Sequence, residues 1–381
     1  MSETVLSFLR YLKCSYLKGF ANTSPLKIVC GNQSADLDSV VSAISFAYFS
    51  YLKDPRNPIL PVVNIPRNDL DLRRDIVSVL KRQSIPKNLL YFQEDIRDLK
   101  RQFGCKVESI LVDHNDPQSD LKLIIDRVIG IIDHHEDLGL YKEEIAQSNG
   151  PRIITTTGSC SSLVLNYWYD LIGPESVAQM KDSFPLCLGA ALIDTSNFKF
   201  KVEEADLKVL GIYKKYLPEV NFEEYYKQIR EAKDDISGFS LKSVLKKDYK
   251  EFVFDKSSSP VRCGIASVVK PLSWLRQEYG IENIDHTCSE LLKEQSQDIF
   301  LILTSFIKEN TFLREIAFFA HPDTIHLCDE IISQVSPALK LKPIDEVQVS
   351  SENCLKAFDQ LNVSASRKQI APCIERAVRS L

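Results

Sequence analysis

Four apolar segments in the first half of the chain end at, or run directly into, acidic residues. They cover residues 26–31, 109–113, 128–133 and 185–194. The first three have the length and composition of buried strands, whereas the fourth is helical or mixed, and helix-length segments lie between them. This alternation predicts an α/β fold with a doubly wound, mainly parallel sheet that is covered by helices on both faces.

The predicted sheet gathers polar side chains at one edge. In such sheets, ligands bind outside the carboxyl ends of the strands. The side chains expected at this edge are Asn32, Asp36, Asp38, Asp113, Asp133, His134 and His135. Carboxylates and imidazoles bind divalent cations, and a carboxylate-rich set suits Mg²⁺ and Mn²⁺. The sequence therefore predicts a metal site at this edge.

Asp36 and Asp38 are one residue apart in a predicted loop, so their carboxylates can reach two different ions, and a carboxylate such as Asp113 can bridge them. Two ions about 3.5–4 Å apart clamp a phosphoryl group and generate a hydroxide nucleophile at neutral pH. Each residue also has a plain structural interpretation. Asp38 is a competent helix N-cap, Asp113 suits a turn, and Asp133 can merely orient a histidine.

Composition limits the classes of function. The chain has 381 residues, 47 Lys and Arg against 52 Asp and Glu, and a formal net charge of -5. Nonspecific binding of nucleic acids usually requires excess positive charge, so we predict no nucleic-acid partner. The most apolar uncharged run, residues 40–52, is too short to cross a bilayer, and we predict no membrane partner. Ten cysteines without a C-x-x-C pair indicate reduced thiols in an intracellular protein.

Length and pattern predict two domains. Residues 203–235 are rich in charge and helix formers, and the remainder mixes β-like runs with helices, as in a smaller α+β domain. We assign residues 1–215 to a catalytic domain that binds the metals, residues 216–234 to a helical connector, and residues 235–381 to a substrate-binding domain.

Several motifs together resemble the DHH phosphoesterase superfamily. Asp-His-His lies at residues 133–135, after Asn-x-x-x-Asp-x-Asp at 32–38 and Asp-His-Asn at 113–115. Gly-Ser-Cys-Ser-Ser at 158–162 and Ile-Asp-Thr at 193–195 are similar to two further motifs of the family.

The C-terminal part of the chain extends this resemblance. Ser-Arg-Lys at residues 366–368 resembles the signature of the DHHA2 domain. The segments at 69–75 and 246–250 are similar to those of fungal cytosolic exopolyphosphatases. The resemblance covers nearly the whole chain, from about residue 26 to about residue 375, and implies an active site in a cleft between the two domains.

The resemblance implies two divalent metal ions, Mn²⁺ or Mg²⁺, and a role for each matched ligand. Asp36 would bind the first ion and Asp38 the second, and Asp113 would bridge them. His134 and Asp194 would complete the coordination of the second ion.

Other matched residues would contact the substrate. His135 would lie beside the substrate phosphate and act with Asp36, Asp38, Asp113 and His134 in catalysis. Lys250, Arg367 and Lys368, from the C-terminal domain, would bind phosphate oxygens. Arg73 and Arg74 follow a predicted helix start near Asp69, and the sequence leaves open whether either one reaches the substrate.

Asn32 departs from one branch of the family. Family II pyrophosphatases carry His at the matching position, and we include Asn32 among the candidate metal ligands. An amide oxygen is a poorer ligand than imidazole for a transition metal, so the change should weaken the first metal site and favour Mg²⁺. Exopolyphosphatases are similar to this sequence in having Asn there.

The resemblance implies an exopolyphosphatase, a metal-dependent hydrolase that removes terminal phosphate from inorganic polyphosphate and releases orthophosphate. A manganese-dependent inorganic pyrophosphatase or a short-chain polyphosphatase would use the same residues. A DHH nuclease or phosphodiesterase typically ends in a Gly-Gly-rich domain, whereas none of the 13 glycines here is adjacent to another. A catalytically dead scaffold would have broken metal ligands. We further expect a cytoplasmic monomer and leave a mitochondrial fraction open.

Overall fold

The computed structural model describes residues 4–20, 24–117, 119–173, 177–256, 259–344, 349–350 and 354–381. The chain forms two compact units, Met1–Asp235 and Ile236–Leu381. Among the described residues, no helix is both long enough and apolar enough to span a membrane.

The described part of the first unit contains a six-stranded sheet in which all neighbouring strands are parallel. Its strands are β1 (Leu26–Cys30), β2 (Leu60–Val63), β3 (Tyr91–Phe92), β4 (Val107–Val112), β5 (Arg127–Asp133) and β6 (Arg152–Ile154). Their order is β3-β2-β1-β4-β5-β6, so the direction of winding reverses between β1 and β4. Sheets of this kind bind ligands outside the carboxyl ends of the strands at the point of reversal.

Helices connect and cover these strands. They are α1 (Val5–Cys14), α2 (Leu37–Lys53), α3 (Arg74–Arg82), α4 (Gln93–Phe103), α5 (Lys142–Ser148), α6 (Cys160–Ile172), α7 (Val177–Met180), α8 (Phe184–Asp194), α9 (Glu204–Tyr216) and α10 (Phe222–Asp234). Helices α2, α6 and α8 pack against one another, and α2 also packs on β1 and β2. The sequence prediction of an α/β fold with a parallel sheet is confirmed.

Helix α10 lies in the segment that the sequence assigns to a connector. Tyr225 and Ile229 are buried in the core of the first unit, and the Tyr225 hydroxyl donates to the Pro185 carbonyl (3.1 Å). The helix therefore packs as part of this unit. The predicted helix start near Asp69 is wrong in detail, because residues Arg67–Leu72 form a 3₁₀ turn and α3 begins after Arg73.

The second unit is built on a mixed sheet. Its strands are β7 (Tyr249–Phe254), β8 (Val261–Val268), β9 (Ile299–Thr304), β12 (Glu315–Ala320), β13 (Leu341–Pro343), β14 (Val349–Ser350) and β15 (Cys354–Gln360). A separate hairpin consists of β10 (Phe306–Lys308) and β11 (Thr311–Leu313). Strands β8 and β9 are parallel, and the other neighbouring pairs are antiparallel.

Both faces of this second sheet are buried. Along β9, Leu301 belongs to one apolar cluster and Phe300 and Ile302 to the other, as the period of two residues in a strand requires. The covering helices are α11 (Leu241–Lys247), α12 (Leu272–Tyr279), α13 (Ile281–Glu294), α14 (Ile325–Leu339) and α15 (Arg367–Ser380). The predicted smaller α+β unit is therefore a sheet between two helical layers.

Candidate metal centre

The turn from β1 into α2 brings two acidic residues to the end of the sheet. Asp36 is the N-cap of α2 and accepts a hydrogen bond from the Ser39 backbone N–H (3.0 Å), so Asp38 lies in the first turn rather than at the cap. Gly31 allows this sharp entry, because a Cβ there would lie 2.4 Å from the Ser39 Cβ. The missing side chain at Gly31 lets the start of α2 approach the end of β1 closely.

Asp38 is buried at the N-terminus of α6. One carboxylate oxygen accepts from the Cys160 N–H (2.6 Å), and the other accepts from the Ser161 N–H (2.8 Å) and the Ser159 hydroxyl (2.7 Å). Burial raises the pKa of Asp38, and the nearby Asp36 charge raises it further. A helix N-terminus thus orients a carboxylate whose negative charge the fold alone does not compensate fully.

Asp113 follows β4 and has a left-handed backbone, with φ of 62°. Its side chain is buried, and one oxygen accepts from the Ser39 hydroxyl (2.6 Å) and the Asn32 side-chain amide (2.8 Å). The other oxygen lies 3.0 Å from His134 Nε2. Burial, together with the charge of Asp36, raises the pKa of Asp113 to about 7.

His134 lies between two of these carboxylates. Its Nδ1 lies 2.9 Å from the Thr157 carbonyl, and its Nε2 lies 4.0 Å from an Asp38 oxygen as well as close to Asp113. Burial lowers the pKa of His134, but the hydrogen bond and charge of Asp113 outweigh burial and raise it to about 10. When Nδ1–H donates to the carbonyl, Nε2 is the nitrogen available to a metal ion.

Asp133 orients the second histidine. One oxygen accepts from the backbone N–H of His134 (2.7 Å) and lies 2.8 Å from His135 Nδ1, while the other accepts from the Asn115 amide (2.6 Å). Burial alone would raise the pKa of Asp133, but the hydrogen bonds from His135 and Asn115 lower it. His135 is half exposed, so its Nε2 is the ring nitrogen left for a substrate.

Asp194 ends α8, and one of its carboxylate oxygens is buried and has no hydrogen-bond partner among the residues that the structure describes. Burial raises the pKa of Asp194 well above its usual range, and the charges of Asp38 and Asp36 add to the effect. A buried unpaired carboxylate oxygen beside two other carboxylates costs free energy unless a cation neutralises it. This oxygen fits the donor set of a divalent metal ion.

Asn32 faces Asp113 with its amide nitrogen. Its side-chain oxygen accepts from the Ser34 backbone N–H (2.7 Å), while its NH₂ donates to the Asp113 carboxylate (2.8 Å). In this orientation Asn32 orients a carboxylate and does not present its oxygen as a ligand.

The ligand atoms of Asp113, His134 and His135 lie within 4.8 Å of one another. The charges of Asp36 and Asp38 raise the pKa of Asp113, and the same two charges raise the pKa of Asp194. Four carboxylates and two imidazoles thus lie near one another. Such a set fits divalent cations, with His134 favouring a transition metal.

Asp206 is a site residue that the sequence interpretation missed. It is fully buried at the start of α9, and its carboxylate accepts from the Thr157 hydroxyl (2.9 Å), the Gly158 N–H (2.7 Å) and the Ser162 hydroxyl (2.7 Å). This segment supplies the carbonyl that orients His134 and the N–H groups that hold Asp38. Asp206 therefore anchors two metal-site residues without touching either.

Arg73 reaches the metal loop, whereas Arg74 does not. The Arg73 guanidinium donates to the Ser34 carbonyl (2.6 Å), within the turn that carries Asp36. Arg74 instead forms an ion pair with Asp235.

The three predicted phosphate-binding residues of the second unit line a common cavity of about 560 Å³. Lys368 is exposed, and Arg367 lies in the first turn of α15. Arg367 already donates to the Asp248 carboxylate (2.6 Å) and to the Asp248 carbonyl (3.0 Å). Its charge is thus partly compensated within the unit.

The metal-free protein should lose stability as pH rises between about 4 and about 10. Asp113, with a pKa raised to about 7, and His134, with a pKa raised to about 10, both hold protons in the folded state that the unfolded chain has released. For His134 the stabilisation is complete below its unfolded pKa of 6.5 and disappears as pH passes 10. For Asp113 the loss runs from 3.8 to 7.

Urea unfolding in the presence of a chelator, at several pH values across that window, measures this dependence. A free energy of unfolding that rises with pH would contradict it. Because a metal ion takes the place of these protons, binding of Mn²⁺ should release protons and tighten as pH rises.

Comparisons with known proteins agree with this site. Residues 227–377 match the model of the DHHA2 domain family. A Schizosaccharomyces pombe protein named "Putative exopolyphosphatase" is 31% identical over 368 residues, which cover 93% of this chain and 91% of that protein. "Exopolyphosphatase PRUNE1" of Rattus norvegicus is 28% identical and covers 93% of this chain and 76% of that protein.

More distant relatives share the architecture. The manganese-dependent inorganic pyrophosphatase of Methanocaldococcus jannaschii is 27% identical and covers 75% of this chain and 85% of that protein. The structure described as "Crystal structure of Methanococcus jannaschii putative family II inorganic pyrophosphatase" matches with a TM-score of 0.56 at 20% identity, over 92% of this chain and 98% of that one. That likeness confirms the fold.

A parallel sheet with carboxylates and histidines at the carboxyl ends of its strands is typical of a metal-dependent hydrolase. The chain belongs to the DHH phosphoesterase superfamily, in the branch that carries a DHHA2 domain and includes the S. pombe and rat proteins.

Proposed function

We propose that this protein is an exopolyphosphatase that removes terminal phosphate from inorganic polyphosphate. The observation that carries the proposal is the pair of buried carboxylates, Asp38 and Asp113, beside His134 Nε2, together with the unpaired Asp194 oxygen that lies near the charges of Asp38 and Asp36. Relatives named exopolyphosphatase cover more than nine tenths of the chain. Hydrolysis of a phosphoric anhydride is the reaction that such a centre supports best.

We propose two divalent ions, Mn²⁺ or Mg²⁺, held by Asp36, Asp38, Asp113, His134 and Asp194. When bound, such ions supply a water of lowered pKa and neutralise charge on the phosphoryl oxygens. Asp113 accepts hydrogen bonds on one oxygen from Ser39 and Asn32, which fixes the direction of the other oxygen. Asp38 is held in the same way by backbone N–H groups at the start of α6.

His135 has a different part in the reaction. Asp133 accepts from Nδ1 and so directs Nε2 towards the substrate, and in the protonated form of the ring Nε2 donates a hydrogen bond to a phosphate oxygen as negative charge develops there. Water attacks the terminal phosphorus, and the bond from that phosphorus to the bridging oxygen breaks. The products are orthophosphate and a polyphosphate chain that is one unit shorter. Lys250, Arg367 and Lys368 are proposed to bind phosphate oxygens of the same substrate.

Inorganic pyrophosphatase is the second candidate function, because the M. jannaschii relative has that name. Asn32 argues against the pyrophosphatase function. Its side chain turns an amide nitrogen, which cannot bind a metal ion, towards Asp113. The two activities differ in the preferred substrate rather than in the metal site.

A substrate series separates these functions. With Mn²⁺ or Mg²⁺ present, we expect orthophosphate release from polyphosphate chains to exceed release from pyrophosphate by at least about tenfold in kcat/KM. The purified protein without divalent metal, after chelation, is the control and should release none. Pyrophosphate as the best substrate would favour the second function, and no release from any substrate would refute both.

A further inference from the structure

The cavity of the second unit contains a basic residue that no motif indicates. Arg314 lines this cavity together with Lys250, Arg367 and Lys368. It directly precedes β12, and Ser305, which also lines the cavity, directly follows β9. Since Leu303 pairs with Ile316, the end of β9 lies beside the start of the antiparallel strand β12. The parallel strands β8 and β9 have their carboxyl ends on this side of the sheet, where ligands commonly bind.

The Arg314 guanidinium is held in place but its charge is not compensated. Its Nε donates to the Val363 carbonyl (2.9 Å), and the guanidinium carbon lies 5.0 Å from the Phe312 ring centroid. No salt bridge involves Arg314 within the described ranges, and burial alone lowers its pKa. Both terminal nitrogens are therefore available as donors, in a side chain that is half-buried.

Arg367 provides the contrast within the same cavity. Its side chain is paired with the Asp248 carboxylate, and it also donates to the Ile265 carbonyl (3.4 Å). A half-buried guanidinium without a carboxylate partner is costly, because it loses hydration without gaining an opposite charge. An anion in the cavity would remove that cost, and the fork of an Arg side chain fits two oxygens of one phosphate.

We propose that Arg314 binds a phosphate group of inorganic polyphosphate in the cavity of the second unit. The inference rests on the proposed function for the identity of the anion. Arg314 supplies two parallel N–H donors to phosphate oxygens, while Phe312 and the Val363 carbonyl hold the guanidinium plane in position.

Equilibrium binding of inorganic polyphosphate to the full chain, with a chelator present so that nothing is hydrolysed, tests the proposal. We expect Arg314→Gln to weaken binding by about tenfold, and the slope of log Kd against log salt to fall by about one. Arg262→Gln is the matched control, because it removes the same charge from an exposed side chain at the other end of β8. It should leave both quantities unchanged.

Arg314→Lys separates charge from structure. This variant should keep the salt dependence of the wild type but bind several-fold more weakly, because lysine lacks the fork. Wild-type affinity in Arg314→Gln would overturn the proposal, and so would a salt slope in Arg314→Lys as low as that in Arg314→Gln. If Arg314→Gln fails to fold by circular dichroism, Arg314→Lys decides alone: weaker binding supports the proposal and wild-type affinity refutes it.

Orthophosphate release by the same proteins is measured separately, with metal present. If Arg314→Gln bound polyphosphate normally and the wild type hydrolysed it, the proposed role of Arg314 would be refuted while the proposed function would stand. Absence of hydrolysis by the wild type would refute the proposed function, and the binding comparison would still decide whether Arg314 holds the anion.

Discussion

Asp113→Asn is expected to lower kcat for orthophosphate release by about a thousandfold. The substitution keeps the shape of the side chain but removes the charge that lies 3.0 Å from His134 Nε2 and beside the charges of Asp36 and Asp38. An amide cannot bridge two cations as a carboxylate does. Binding of Mn²⁺, measured by calorimetry, should weaken in parallel.

The same variant should remain folded. Removal of the Asp113 charge relieves its repulsion with the charges of Asp36 and Asp38, but it also removes the hydrogen bond and charge that raise the pKa of His134. Because these two effects oppose each other, thermal unfolding with a chelator should still show one cooperative transition, which separates a loss of metal binding from a loss of the fold. Asp170→Asn, which changes an exposed carboxylate paired with Lys208, is the control and should retain full activity. Retention of more than a tenth of the wild-type rate by Asp113→Asn would contradict the proposed bridging role.

Asp206→Ala is expected to destabilise the protein by about 3 kcal/mol or more. The substitution leaves the Thr157 and Ser162 hydroxyls and the Gly158 N–H without their common acceptor in a fully buried position. The segment that they belong to also positions His134 and Asp38, so the variant should bind metal more weakly as well. Urea unfolding measures the loss of stability, provided that the m-value stays that of the wild type. Calorimetric titration with Mn²⁺ measures the loss of metal binding.

Asp206→Asn is a milder variant that tests the same prediction. The amide keeps one accepting oxygen and replaces the other with a donor, so its loss of stability should lie between those of the wild type and the alanine variant. Asp170→Ala again serves as the exposed control. If Asp206→Ala lost stability but bound Mn²⁺ as tightly as the wild type, Asp206 would support the core alone and not the metal site.

The first half of the fold was predictable because three strands of its sheet are largely buried on both faces and are mainly apolar in sequence. They are residues 26–30, 107–112 and 127–133, and their ends mark one edge of a parallel sheet. The order of the strands did not follow from the runs themselves, since hydrogen bonding between distant segments decides which strands are neighbours.

The candidate site was only partly predictable, for a related reason. Asp113 and His134 follow strands directly, and Asp36 and Asp38 lie where α2 begins after β1, so their convergence follows from the sheet. Asp206 lies 44 or more residues from Thr157, Gly158 and Ser162, which donate to it, and it belongs to a charged helical segment that resembles a solvated surface.

Arg314 was hidden for a different reason. It precedes a short apolar strand and belongs to no spaced motif, so its sequence neighbours give no indication of an unpaired charge. Only the arrangement of side chains around the cavity distinguishes it from the many paired arginines.

Position 160 is subject to two requirements that conflict. Cys160 is the first residue of α6, where proline is a favourable residue because the helix does not use that N–H. Here the N–H is used, since it donates to Asp38. The Cys160 side chain is also fully buried, and its thiol donates to the Ile132 carbonyl (3.2 Å). Proline would therefore suit the start of the helix, but it would take away a donor of Asp38 together with a buried contact. The residue at this position is decided by the carboxylate that it orients rather than by the helix that it begins.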